Sequence, residues 1–174
     1  MKIFIFIEHS AIIRHFLDSK AFSLLDKNHD LFYVFPFGHK RLGHLNENNL
    51  RINSSKVINL PVDQKRVSLW GSRFWVESLR CKKGFSNLQT ETNRRVFKAC
   101  NPRKLYMLYR FLGMPIIFKF FTVLINQILA RNPNTSLENL IKNKKPDLLI
   151  HPSVLSGVYI NDLVDTGNRL KIPI

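Results

Sequence analysis

Lys2-Ile-Phe-Ile-Phe-Ile-Glu8 decides how this chain is read. Its five inner residues, Ile3 to Ile7, are all β-branched or aromatic, with no polar interruption between Lys2 and Glu8, and suit a strand covered on both faces in a parallel sheet. Ser10 follows as a candidate N-cap, and Ile12, Ile13, Phe16, Leu17, Phe22, Leu24 and Leu25 recur at roughly helical spacing. The spacing predicts one helix over Ala11 to Lys27. Leu31-Phe-Tyr-Val-Phe35, closed by Pro36 and Gly38, reads as a second strand, which completes a β-α-β unit. Lys56-Val-Ile-Asn-Leu60, ending at Pro61, reads as a third.

Strand signals then vanish. From Asp63 to Arg131 the periods are helical, and Asn101-Pro102 marks a helix start, so residues 63 to 131 read as a helical insertion. Leu148-Leu-Ile150 restores the sheet, Val154 to Leu170 is helix-compatible with Asn161 and Asp162 on a polar face, and Ile172-Pro-Ile174 reads as the entry to a further strand. The expected fold is α/β: a single Rossmann-like domain over residues 1 to 174, with a parallel sheet, flanking helices and a basic helical insertion.

A chain of 174 residues that is 45% apolar can bury a core without disulfides or metal. Cys81 and Cys100 lack the CxxC spacing of a metal or redox site and read as reduced thiols. The first strand runs straight into Glu8 and His9 with no small-residue cleavage site, which favours a cytoplasmic location. Lys and Arg number 27 against 12 Asp and Glu, a formal +15, so the partner is anionic: nucleic acid, a phosphorylated substrate or a membrane face. The cations crowd the insertion, interleaved with Trp70, Phe74, Trp75, Phe85, Phe97, Tyr106 and Tyr109. Such aromatics stack bases in a nucleic-acid binder and sit at headgroup level at a membrane. No recognised nucleic-acid motif accompanies them.

Phe111 to Ala130 has the length of a membrane span, but Lys119 near its centre costs about 3 kcal/mol on insertion scales, and Pro115, Asn126 and Gln127 interrupt it. Three readings stay open for it: a span, a buried domain helix, or a helix lying in the plane of a membrane surface.

Ligands of open parallel sheets bind beyond the carboxyl ends of the strands, near the point where strand order reverses. Three segments arrive there: Glu8-His9-Ser10, Phe37-Gly38-His39-Lys40-Arg41 and His151-Pro152-Ser153. His9 is the candidate general base, with Glu8 as a neighbour that raises its basicity, although adjacent strand residues point to opposite faces. The alternative is a turn histidine bonded only to backbone. Arg14 and His15 lie where a helix N-terminus favours an anion, or on a solvated helix face. His39, Lys40 and Arg41 form a basic loop suited to a charged acceptor. His151 and Ser153 serve binding or the turn, with Ser153 as the N-cap that follows. Metal-ligand spacing, a Walker A loop and a GxGxxG turn are all absent from the sequence, which argues against a stand-alone NTPase or classical dehydrogenase.

Lys2 to His9, Arg14-His15-Phe16, and Lys145-Pro-Asp-Leu-Leu-Ile-His-Pro-Ser153 through Gly157, Asn161-Asp-Leu163 and Ile172-Pro-Ile174 together resemble the amino-terminal half of bacterial GT-B glycosyltransferases of surface-polysaccharide assembly. The basic helical middle matches no motif of that kind. The resemblance implies an acceptor-binding domain with a catalytic base, acting on a lipid-linked or polysaccharide acceptor at the inner face of the plasma membrane. It implies no cofactor in this chain. The nucleotide-sugar donor belongs to a carboxyl-terminal domain that is absent from these residues, supplied by a missing segment or a partner chain. Two other readings remain: a non-catalytic, basic, membrane-peripheral module, and the amino-terminal half of a sugar-nucleotide epimerase.

Overall fold

The computed structural model describes residues 1–9, 12–38, 53–80, 88–152 and 157–174. It contains two compact units. One comprises Met1–Gln64 with Asn134–Ile174, and the other is Lys65–Pro133.

The first unit is an α/β layer structure of Rossmann-like type. Its strands β1 (Lys2–Phe6), β2 (Asp30–Phe37), β3 (Val57–Pro61) and β4 (Leu148–Ile150) form one parallel sheet in the order β3-β2-β1-β4. The alternation of Ile and Phe in β1 explains the layers, because successive strand residues face opposite sides. Phe4 and Phe6 pack with Val34, Leu60, Leu137, Ile141, Leu149, Tyr159 and Leu163 on the side of helices α7 (Thr135–Lys144) and α8 (Ile160–Leu170). Ile3, Ile5 and Ile7 pack on the other side with Ile12, Leu31, Tyr33 and Phe35, beneath α1 (Ile13–Asp18) and α2 (Ser23–Asn28). Every apolar residue from Ile3 to Ile7 is buried, at roughly 1.5–3 kcal/mol for each large side chain.

The expected helix over Ala11 to Lys27 is in fact two short pieces. α1 is a π-helical turn, Lys20 takes a left-handed φ of 57°, and α2 starts at Ser23. Phe16 and Phe22 account for the break. Six residues apart on a straight helix, they would lie on different faces. With the chain broken they stack, ring centroids 5.5 Å apart, against the isoleucine side of the sheet.

β2 also runs past Pro36, which pairs with Leu60. The Ile7 amide donates to the Val34 carbonyl, so alternate residues of β2 turn their polar groups toward β1. Pro36 is the next of these and lies just past the last β1–β2 pair, so its missing N–H falls where that ladder stops. Gly38 follows with φ 79°, a conformation that favours glycine. At the far edge, Leu149 donates to the Pro173 carbonyl at 3.0 Å, so Ile172-Pro-Ile174 lies along β4 without being assigned as a strand.

α7 is capped by Asn134, whose side chain accepts from the Leu137 amide at 3.1 Å and donates to Asp162 Oδ2 at 2.8 Å. Asp162 is therefore buried and bonded rather than part of a polar face, while Asn161 is exposed. α8 begins at Ile160, six residues later than its apolar pattern suggested.

Glu138 on α7 accepts from Lys142 at 3.2 Å and from Arg169 of α8. Burial alone would raise its carboxyl, but the hydrogen bonds and charges of Arg169 and Lys142 outweigh burial and hold it below the ordinary 4.5. The folded chain then binds fewer protons here than the unfolded chain. The stabilisation is present above pH 4.5 and is lost as pH falls through the lower folded-state value. Urea titrations from pH 6 downward should show wild type losing stability over that acid window, and Glu138→Gln losing less of it. Parallel slopes for the two proteins would sink the assignment.

The second unit is helical among the described residues. It contains α3 (Gln64–Ser78, of which Gln64 belongs to the sheet unit), α4 (Leu88–Cys100), α5 (Arg103–Leu112) and α6 (Pro115–Arg131). Phe74, Trp75, Phe97 and Tyr109 form a chain of ring contacts with centroids 5.0 to 5.3 Å apart. Of these Phe97 is buried, Trp75 and Tyr109 are partly buried against it and Phe74 stays exposed, and Arg80 lies 3.9 Å over the Phe118 ring. Arg66 is buried and donates to the Leu129 carbonyl at 2.8 Å and to the Asn132 carbonyl, satisfying the C-terminus of α6. Cys100 is exposed and outside any disulfide, and Cys81 lies outside the described residues.

The apolar stretch Phe111 to Ala130 is not one helix. α5 and α6 meet at a 92° bend, and no single helix among the described residues is long and apolar enough to cross a membrane. Pro115 at the first position of α6 forces the preceding Met114 into an extended conformation, which ends α5.

Candidate functional site at the carboxyl ends of β1 and β4

β1 sits between β2 and β4, so the chain leaves it toward one side and returns on the other. The carboxyl ends of β1 and β4 therefore flank the point where strand order reverses. Glu8 follows β1 and His151 follows β4. The β1 alternation puts Glu8 on the phenylalanine side, toward α8 rather than toward His9. There its Oε1 lies 3.0 Å from His151 Nε2, in a contact between side chains that are 0% and 4% exposed.

Two backbone donors complete the carboxylate's surroundings. The Tyr159 amide donates to Oε1 at 3.1 Å, and the Val158 amide donates to Oε2. A buried carboxylate with three donors is held in one position. In a neutral imidazole, the Nε2 proton then points at Glu8 and Nδ1 is the acceptor nitrogen.

Gly157 makes this approach possible. A Cβ there would sit 2.6 Å from Glu8 Oε2 and 2.8 Å from His151 Nε2, so any side chain collides with the pair. Tyr159 closes the site from below. Its ring meets Phe6 edge-on with centroids 5.9 Å apart, and its hydroxyl donates to the Leu60 carbonyl at 2.6 Å. Burial, with the nearby charges of Glu8 and Asp162, pushes its phenol well above the ordinary 10.0, so it stays a neutral donor. One residue thereby ties the end of β3 to the Glu8 site.

His9 stands at the same strand end, half-buried, and its carbonyl accepts from the amides of Ile12 at 3.0 Å and Ile13 at 3.4 Å. His15 is exposed in the last turn of the six-residue α1, not at the N-terminus of a long helix. Ser10, His39, Lys40, Arg41 and Ser153 lie outside the described residues, as does the Arg14 side chain. Among the described residues no three His, Cys, Asp or Glu side chains converge to hold a metal ion.

Gly157, Val158 and Tyr159 were not legible as site residues from sequence. The one available signal was a glycine in the turn between a strand-end histidine and the next helix. No family model matches this chain, and comparison with curated proteins and with solved structures returns no significant match.

Proposed function

We propose that the sheet unit is the acceptor-binding half of a glycosyltransferase of GT-B type, moving a sugar from a nucleotide-sugar donor to a lipid-linked or polysaccharide acceptor on the cytoplasmic side of a membrane. The Glu8–His151 pair, fixed where the strand order reverses, is the observation that supports the reading. An imidazole fixed at the strand ends, and a second one, His9, carried by the turn that follows β1, are groups able to take a proton from an acceptor hydroxyl. In a direct displacement that proton passes to the base, the acceptor oxygen bonds to the anomeric carbon, and the nucleoside diphosphate leaves with the electron pair. His9 is the assigned base. Glu8 is a positioning residue that sets the tautomer and orientation of His151. The nucleotide sugar would be held by another domain or chain, since this sequence has no glycine-rich diphosphate loop.

Two-dimensional NMR of the labelled chain tests this. Titration with N-acetylglucosamine 1-phosphate at millimolar concentrations should move the ring signals of His9 and His151, while uridine diphosphate alone leaves them in place. Movement with the nucleotide alone would transfer the site to donor binding, as in the epimerase reading. Silence with both would remove the rim from acceptor recognition.

A further inference from the structure

We infer that the outward face of α6, with the elbow it makes against α5, is an in-plane docking surface for an anionic lipid bilayer. The inference rests on the helical unit alone and does not depend on sugar transfer.

α6 is apolar on two sides. Ile125 and Leu129 face inward and are buried, whereas Ile116, Phe120, Val123 and Leu124 recur at helical spacing on the outside and are 73%, 73%, 55% and 55% exposed. A helix with apolar residues all round ordinarily has both sides covered. Met107, Leu108 and Phe111 of α5 and Met114 at the bend extend the patch, each at least half exposed. At the elbow, Met107, Arg110, Phe111, Gly113, Met114 and Pro115 line a cleft of about 350 Å³. Apolar walls with one guanidinium among them suit the upper part of an acyl chain and its phosphate.

Charge selects the occupant. Between Asn101 and Pro133 the sequence carries Arg103, Lys104, Arg110, Lys119 and Arg131 and no Asp or Glu. Cations around exposed aliphatic side chains are what a helix needs in order to lie at an anionic headgroup layer. Lys119, beside Phe120 on the outward side, has a stem long enough to lift its ammonium to the interface. Nucleic acid fits less well: it rewards exposed aromatic platforms, whereas here Phe97 is buried with Trp75 and Tyr109 partly buried against it, and of the eight outward apolar residues named above only Phe111 and Phe120 are aromatic. The 92° bend gives the pair the shape of a wedge rather than a span.

Flotation of the full chain with vesicles tests the surface. Wild type should float with phosphatidylglycerol-containing vesicles and largely fail to float with pure phosphatidylcholine, and added salt should weaken the binding. Phe120→Glu with Leu124→Glu should lower the bound fraction about tenfold or more, as should Arg103→Gln with Lys104→Gln. Because all four side chains are exposed, the thermal unfolding curves should match wild type. Variants that float like wild type would overturn the inference. So would a dimer in sedimentation that Phe120→Glu converts to monomer while flotation persists, because the face would then belong to a second copy. Salt-sensitive RNA retention without flotation would overturn it too.

Discussion

Glu8→Ala is expected to lower unfolding stability by about 3–5 kcal/mol, because three buried donors lose their shared acceptor and each unsatisfied group costs roughly 1–3 kcal/mol. The loss has three parts. The amides of Val158 and Tyr159 and the Nε2 of His151 all lose their acceptor inside the fold, where water does not replace it. Glu8→Gln keeps one carbonyl oxygen for those donors but turns an NH2 toward the rest, so it should cost less, about 2 kcal/mol. Urea unfolding checks both: the midpoint should move in the order wild type, Gln, Ala, with an unchanged denaturant slope. A Glu8→Ala protein within 1 kcal/mol of wild type, a threshold of about a single ordinary hydrogen bond, would show that the carboxylate is not held as described. The same series bears on function. If Glu8 positions His151, Glu8→Gln should change the His151 ring signals far more than those of His9, whereas general loosening would move both.

Gly157→Ala attacks the pair from the other side. The added methyl would lie 2.6 Å from one carboxylate oxygen and 2.8 Å from the imidazole nitrogen, and neither is the loose end of a flexible chain. Either the turn shifts outward or Glu8 and His151 separate, for about 1–3 kcal/mol as an overpacking cost. Gly157→Val should cost more. Since the methyl acts by breaking contacts that Glu8→Gln already weakens, the double variant Glu8→Gln with Gly157→Ala should lose clearly less than the sum of the singles. Additive losses would mean that Gly157 matters for its backbone and not for the space it leaves.

These effects mark the boundary of what the sequence discloses. The alternating Ile and Phe of Lys2 to Glu8 carried the sheet, its parallel character and the two cores, because a period of two maps directly onto two faces. The histidine-bearing turns were visible as strand ends. Their partnership was not, because Glu8 and His151 are 143 residues apart and no local pattern encodes which strand lies beside which. The nearer neighbour in sequence, His9, was the natural partner to suppose for Glu8, and strand alternation sends the two apart. The two broken helices have one origin. Apolar spacing reports that a segment is covered, but not where it bends, and the packing of Phe16 on Phe22 and the constraint of Pro115 on Met114 decided the breaks.

The insertion of Lys65–Pro133 between β3 and α7 has a further meaning for how such a chain can vary. Closing a longer loop costs only about 0.6 kcal/mol for each doubling of its length, and a segment with its own core spends less still of the host's stability. The sheet that holds Glu8 against His151 is accordingly almost indifferent to how many residues pass between its third and fourth strands. Surface chemistry in that excursion can be lengthened, recharged or replaced while the rim keeps its geometry, so the two parts of the chain are free to evolve at different speeds.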